Sequence, residues 1–175
     1  WPAKSESMKA FVASRRDLNG KAFNKTSFET IRAALPSAIV RPEVGIGPGK
    51  ELEAPIDLGD IDVLVIDTSL RKVVAIECKD LVLARTPYEM HLELRKFIEG
   101  KNAFLTKVEK RYAWLQNNMG TLLDRYEVHD ISKYSFEYLF LTSEAIPLPF
   151  VRNNLTHNRF LTLYQIRQDI DLLFN

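Results

Sequence analysis

The chain has 175 residues, 46% hydrophobic and 27% charged, with a net charge of +1. This is ordinary for one globular domain with a sizeable core, and it excludes a strong global field, so a nucleic-acid partner needs a local basic patch. The single cysteine excludes an internal disulfide and points to a reducing compartment, the cytoplasm. There is no apolar run long enough to span a bilayer and no signal-peptide pattern, so no membrane association is expected.

The chain begins at Trp1 and its first methionine is Met8, so residues 1–175 are read as a single domain excised from a longer protein. Other domains of that parent are expected partners, and the oligomeric state is open. Residues 5 to 18 read as a first helix, capped by Ser5 or Ser7, carrying Met8, Phe11 and Val12 as an apolar stripe and ended by Asn19-Gly20. Thr26 to Leu35 reads as a second helix stopped by Pro36. Glu29, three residues after Thr26, has two readings here: partner in a capping box, or a carboxylate directed to a site. Ala38 to Ile46 is a strand, and Pro42 makes it an edge strand. The following loop contains Gly45-x-Gly47-x-Gly49, but lacks the lysine-serine pair and helix of a phosphate loop.

Ile61–Asp67 and Lys72–Lys79 are Val/Ile-rich strands joined by a four-residue turn, hence an antiparallel hairpin. Side chains alternate between faces, so Val73, Ala75, Glu77 and Lys79 share one face, and Val74, Ile76 and Cys78 the other. Asp62 starts the paired strand near Glu77 and Lys79. Two carboxylates about 5 Å apart repel by roughly 3 kcal/mol at an effective dielectric near 20. A divalent cation reverses that cost, and hard oxygen ligands suit Mg2+ or Mn2+. Asp62 and Glu77 are the candidate metal ligands, with the Cys78 backbone carbonyl as a third. They have no other neutralising partner within the motif. Lys79 is placed to orient a water or to stabilise charge as a phosphodiester is attacked.

Thr86-Pro87-Tyr88-Glu89 is a helix start with cap, proline at N1 and glutamate at N3. The helix is expected to run to about Asn117, bent at Gly100. Leu94, Phe97, Ile98, Phe104, Leu105, Val108, Tyr112 and Leu115 form its buried stripe. Lys101 falls inside the stripe, either snorkelling past the core edge or reaching a substrate phosphate. Lys107, Lys110 and Arg111 lie off it and have two readings, a solvated charged face or contacts to a nucleic-acid backbone. Met119 to Ile131 is a short helix and connector, and Tyr134 to Thr142 a buried strand. The next loop contains Arg152 and His157, with no metal-site spacing around that histidine. Arg159 to Leu163 is a final short strand, and Thr162-x-x-Gln165 caps a closing helix.

Asp62 followed by Glu77-Cys78-Lys79 at the end of an apolar strand resembles the signature of the PD-(D/E)XK nuclease superfamily. The wording is similar to its nuclease-related and Holliday-junction-resolvase-like members. Phe28-Glu29 matches a helix that often precedes the hairpin there. Ile61 stands where the family often has proline, a departure it tolerates. The resemblance implies a restriction-endonuclease-like α/β fold with an αβββαβ core, a central mixed sheet flanked by helices. It also implies an Mg2+- or Mn2+-dependent endodeoxyribonuclease-like activity on DNA. Asp62 and Glu77 would hold the ion, Lys79 would act on water, and Glu29 would assist. A second reading keeps the fold as a non-catalytic nucleic-acid- or protein-binding module. A third makes Glu77 and Lys79 an exposed ion pair worth about 0–1 kcal/mol.

Overall fold

The computed structural model describes residues 5–101, 103–129, 134–148 and 158–175. Arg152 and His157 lie outside these described residues. The elements are α1 (Glu6–Ala34), β1 (Ile39–Ile46), β2 (Gly59–Asp67), β3 (Lys72–Lys79), α2 (Pro87–Ile98), α3 (Phe104–Asn117), α4 (Met119–Arg125), β4 (Ser135–Thr142), β5 (Asn158–Thr162) and α5 (Leu163–Gln168). A 3-10 turn over Ile170–Leu173 follows. The strands form one mixed sheet in the order β1-β2-β3-β4-β5. β1, β2 and β3 are antiparallel neighbours, while β4 and β5 join in parallel. The parallel step needs a crossover, which α2, α3 and α4 supply. The expected α/β architecture, a mixed sheet flanked by helices, is therefore present. β3 is its middle strand, and that position buries Val73 to Ile76 completely.

Each sheet face carries its own core. Leu64, Ile66, Val73, Ala75, Tyr138 and Phe140 pack with Phe97, Leu105, Val108, Leu115 and Leu122 from the crossover helices. Val63, Val65, Val74, Ile76 and Leu139 pack on the opposite face with Ile31 of α1, Ile166 of α5 and Leu173. A fully buried side chain of this size contributes about 1.5–3 kcal/mol. The expected apolar stripe of the long helical region is thus confirmed, and so are the edge position of β1 and the Thr162–Gln165 capping box.

Two expectations about helices are corrected. Residues 6 to 34 form one helix rather than two. Gly20 costs only about 1 kcal/mol relative to alanine inside a helix, too little to end one against a favourable tertiary alternative. The C-terminal half docks on the sheet through Ser27 and Ile31, while Met8, Phe11 and Leu18 remain exposed. Conversely, the region from Pro87 to Asn117 is two helices. Gly100 takes φ 84, a left-handed conformation that no α-helix interior accommodates. The edge-to-face rings of Phe97 and Phe104, 5.0 Å apart, hold α2 against α3 across this break.

Candidate active site

The β2–β3 ladder runs from Asp67↔Lys72 to Val63↔Ile76 and stops there, one residue before Asp62. On the other side of β2 the β1 ladder omits the Glu43–Asp62 pair, and Glu43 has φ 51. Face alternation changes at the same place: Ile61 and Leu64 belong to one core, whereas Val63 belongs to the other. This local break frees Asp62 from the pleat. Its Oδ2 accepts the Cys78 backbone N–H at 2.7 Å, and its Oδ1 accepts the Asn24 side-chain amide at 2.9 Å. The aspartate is thus tied to both the end of β3 and the docked part of α1.

Glu77 is buried on the face opposite α1, with 6% exposure. Its Oε1 takes the Lys79 Nζ at 2.7 Å and its Oε2 takes the Arg111 Nη1 at 2.7 Å. Tyr138 directs its hydroxyl to Oε2 at 3.5 Å. Arg111 also donates to the Asp60 carbonyl, while its buried Nε has no hydrogen-bond partner. Lys79 lies 4.8 Å above the Phe104 ring, so the α2–α3 packing also positions the ammonium. The Glu77–Lys79 pair is therefore real, but the reading of it as an exposed strand-end pair is corrected: burial and Arg111 set its energetics.

Burial raises the Asp62 pKa to about 6; the Glu77 charge adds to the rise, and Lys79, the Cys78 N–H and Arg111 oppose it. Burial also pushes up the Cys78 thiol, with the Asp62 charge second, which leaves that sulfur protonated and unreactive. Tyr138 is raised well above its ordinary value, first by burial and then by Glu77, so it stays a neutral donor.

These side chains open onto a cleft of about 540 Å³. Asp62, Glu77 and Lys79 form its floor. Lys107, Lys110 and Arg111 of α3, with Lys101 before it, form a basic wall. The helix break brings Lys101 to the cleft, and it is exposed rather than snorkelling along a buried stripe. Asp57 and Asp60 lie at the rim, where Lys50 bridges them at 3.0 and 2.9 Å. Gly45 and Gly47 make room for this bridge: a Cβ on Gly45 would lie 2.9 Å from Lys50 Cδ, and one on Gly47 3.4 Å.

The structure brings Asp62, Glu77, Lys79 and Lys101 to one cleft but not Glu29. Glu29 is mid-helix, 61% exposed and paired with Lys25 at 3.8 Å. No helix begins at Thr26, so the capping box does not form, and five residues turn Glu29 about 140° away from Asn24. Asn24 takes the place expected for it. Sequence reasoning missed Asn24 and Arg111. Both carried a signal: Asn24 precedes the buried Ser27 and Ile31 by three and seven residues, and Arg111 lies between Val108 and Leu115 on the stripe.

Among the described residues no group of three or more His, Cys, Asp or Glu side chains is arranged to hold a metal. The donor set is sparser: two carboxylates and the Cys78 carbonyl. A β residue directs its N–H and C=O to the same side, so the Cys78 carbonyl lies on the Asp62 side, beyond the last ladder pair. Hard oxygens of this number fit Mg2+, which keeps several waters and uses one or two carboxylates with substrate phosphates. Within the motif Lys79 pairs with Glu77, and α3 delivers Arg111 from outside the motif as a second cation on that carboxylate.

No curated protein matches the chain, and no solved structure does. A family model described as anti-phage protein Upx-like matches residues 3–156. That match spans α1 through β4 and includes every residue of the cleft. The chain belongs to the Upx-like family of anti-phage proteins.

Proposed function

We propose that this domain is a metal-dependent nuclease that hydrolyses DNA phosphodiester bonds in defence against phage. The observation that carries the reading is the meeting of Asp62, Glu77 and Lys79 at the end of the central strand, under a basic cleft wall. Asp62, Glu77 and the Cys78 carbonyl would hold Mg2+ or Mn2+, which when bound supplies Lewis-acid polarisation of a phosphoryl oxygen and an acidified water. Asn24 and the Cys78 N–H orient the Asp62 carboxylate from two sides. Lys79 directs a water or stabilises developing negative charge, and the Phe104 ring shields one side of its ammonium from solvent. Lys101, Lys107 and Lys110 receive backbone phosphates, positioning the strand without reading its sequence.

A non-catalytic binding module is the second reading, favoured by one observation: Lys79 and Arg111 already neutralise Glu77. The experiment that separates them is single-turnover cleavage of linear, circular and branched DNA with excess protein, in Mg2+ or Mn2+ and in EDTA. Metal-dependent cleavage that disappears in Asp62→Asn supports the nuclease. Binding without cleavage on all substrates by an intact, folded parent supports the module.

A further inference from the structure

The Glu77–Arg111 pair is unusual in its placement. Arg111 is 4% exposed, comes from a different element than the acid-acid-lysine set, and lines the cleft. Its Nη1 serves both Glu77 and the Asp60 carbonyl, while its Nε is buried and without a partner. A buried guanidinium with an unmatched N–H is incompletely satisfied, and a phosphate oxygen is the acceptor that suits its planar fork. Glu77, for its part, has both oxygens held by cations.

We propose that Arg111 is a positioning residue that occupies Glu77 in the ligand-free protein and releases it when a nucleic-acid phosphate enters the cleft, so that divalent cation and nucleic acid bind with positive coupling. The inference rests on the metal site proposed above and adds its regulation. Without nucleic acid, a cation arriving at Asp62 and Glu77 meets a carboxylate shared by two positive side chains, and its affinity is low. A phosphate accepting from Arg111 weakens the hold on Oε2, and the carboxylate turns to the ion. By linkage the ion strengthens nucleic-acid binding by the same factor. Lys79 does not serve this role equally, because it sits two residues along the same strand and its ammonium is fixed against Phe104. The cost of an open site is thereby avoided until substrate arrives. The lysines of the wall supply attraction, and Arg111 supplies the link between phosphate and metal.

The test is calorimetric titration of Ca2+, which binds oxygen sites with little expected turnover, into the parent with and without a short DNA duplex. DNA should tighten Ca2+ binding by about tenfold, within the usual range of coupling between sites. In Arg111→Met, Ca2+ should bind the free protein more tightly than it binds the parent, and the DNA dependence should fall away. Should that variant not fold, the parent's DNA dependence and that of Arg111→Lys, which keeps charge but loses the fork, still decide. Equal Ca2+ affinity of the parent with and without DNA overturns the coupling, as does an absence of Ca2+ binding under both conditions. Cleavage in Mn2+ is scored separately: coupling without cleavage removes the nuclease reading and leaves Arg111's role standing.

Discussion

Asp62→Asn tests the electrostatics of the cleft floor without any ligand. In the folded chain burial and then the Glu77 charge raise the Asp62 pKa from 3.8 to about 6. An acid whose folded pKa lies above its unfolded value binds protons more tightly when folded. Stability is therefore lost as pH rises through that window, since the folded state must carry an unfavourable charge. The displacement corresponds to on the order of 3 kcal/mol, fully expressed above the folded pKa and absent below 3.8. Asparagine is nearly isosteric: its carbonyl accepts the Cys78 N–H, and Asn24 turns its amide to offer oxygen to the new NH₂. Urea unfolding of parent and variant across the window from 3.8 to about 6 and beyond isolates the effect by difference, because other titrations cancel. The Asp62→Asn variant should gain stability relative to the parent with rising pH, by on the order of 3 kcal/mol in total. A difference that stays flat with pH, or that grows towards acid, refutes the placement of Asp62 as a part-buried carboxylate repelled by Glu77.

Arg111→Met should destabilise by about 3–5 kcal/mol, because it leaves Glu77 buried with Lys79 alone, and Arg111→Met/Glu77→Gln should recover most of that in denaturant melts. Glu29→Ala, losing only an exposed pair with Lys25, should shift stability by less than about 0.5 kcal/mol and leave cleavage unchanged, whereas Asn24→Ala should slow cleavage under single-turnover conditions. Gly100→Ala should cost about 1 kcal/mol in thermal melts, because φ 84 strains any residue with a Cβ even though open space surrounds it. Lys79→Ala should abolish cleavage while holding DNA affinity within a few-fold of the parent, and an equally fast variant, in an assay free of contaminating nuclease, would sink the proposed mechanism.

The hairpin and the grouping of its side chains were legible because period-two alternation and strand-end placement are local properties. Val63 to Ile66 and Val73 to Ile76 declare a buried pair of strands, and parity alone sets Glu77 beside Lys79. Helix boundaries were less legible. Asn19-Gly20 and Thr26 look like stop and start signals, each worth about a kilocalorie, and a helix whose far half docks on the sheet overrides them. Gly100 was visible as a bend but not as a break, since sequence does not report the sign of φ. Arg111 was misread for a different reason. Its spacing from Val108 and Leu115 places it on the apolar stripe, where a charged residue is rare unless paired, but only the tertiary approach of α3 to β3 shows the buried carboxylate that pairs with it. Asn24 follows the same logic: its role exists only once α1 lies across the end of β3.

The charge balance of the cleft floor bears on both proposed functions. Asp62 and Glu77 are offset by Lys79 and Arg111, so a module that only binds has a closed, neutral cluster and no need of a metal. Yet the balance is uneven. Both cations hold Glu77, whereas Asp62 receives only N–H groups and is raised to about 6. At neutral pH that carboxylate is a net liability, and an asparagine there would satisfy the same donors at lower cost. A carboxylate placed where it destabilises the fold, in a cleft with a basic wall, is the pattern expected of a group that does chemistry. Arg111 then serves as the counterweight that makes the acidic floor tolerable in the absence of ligand. In the nuclease proposed above, the uneven sharing leaves Asp62 held only by N–H donors while two cations guard Glu77.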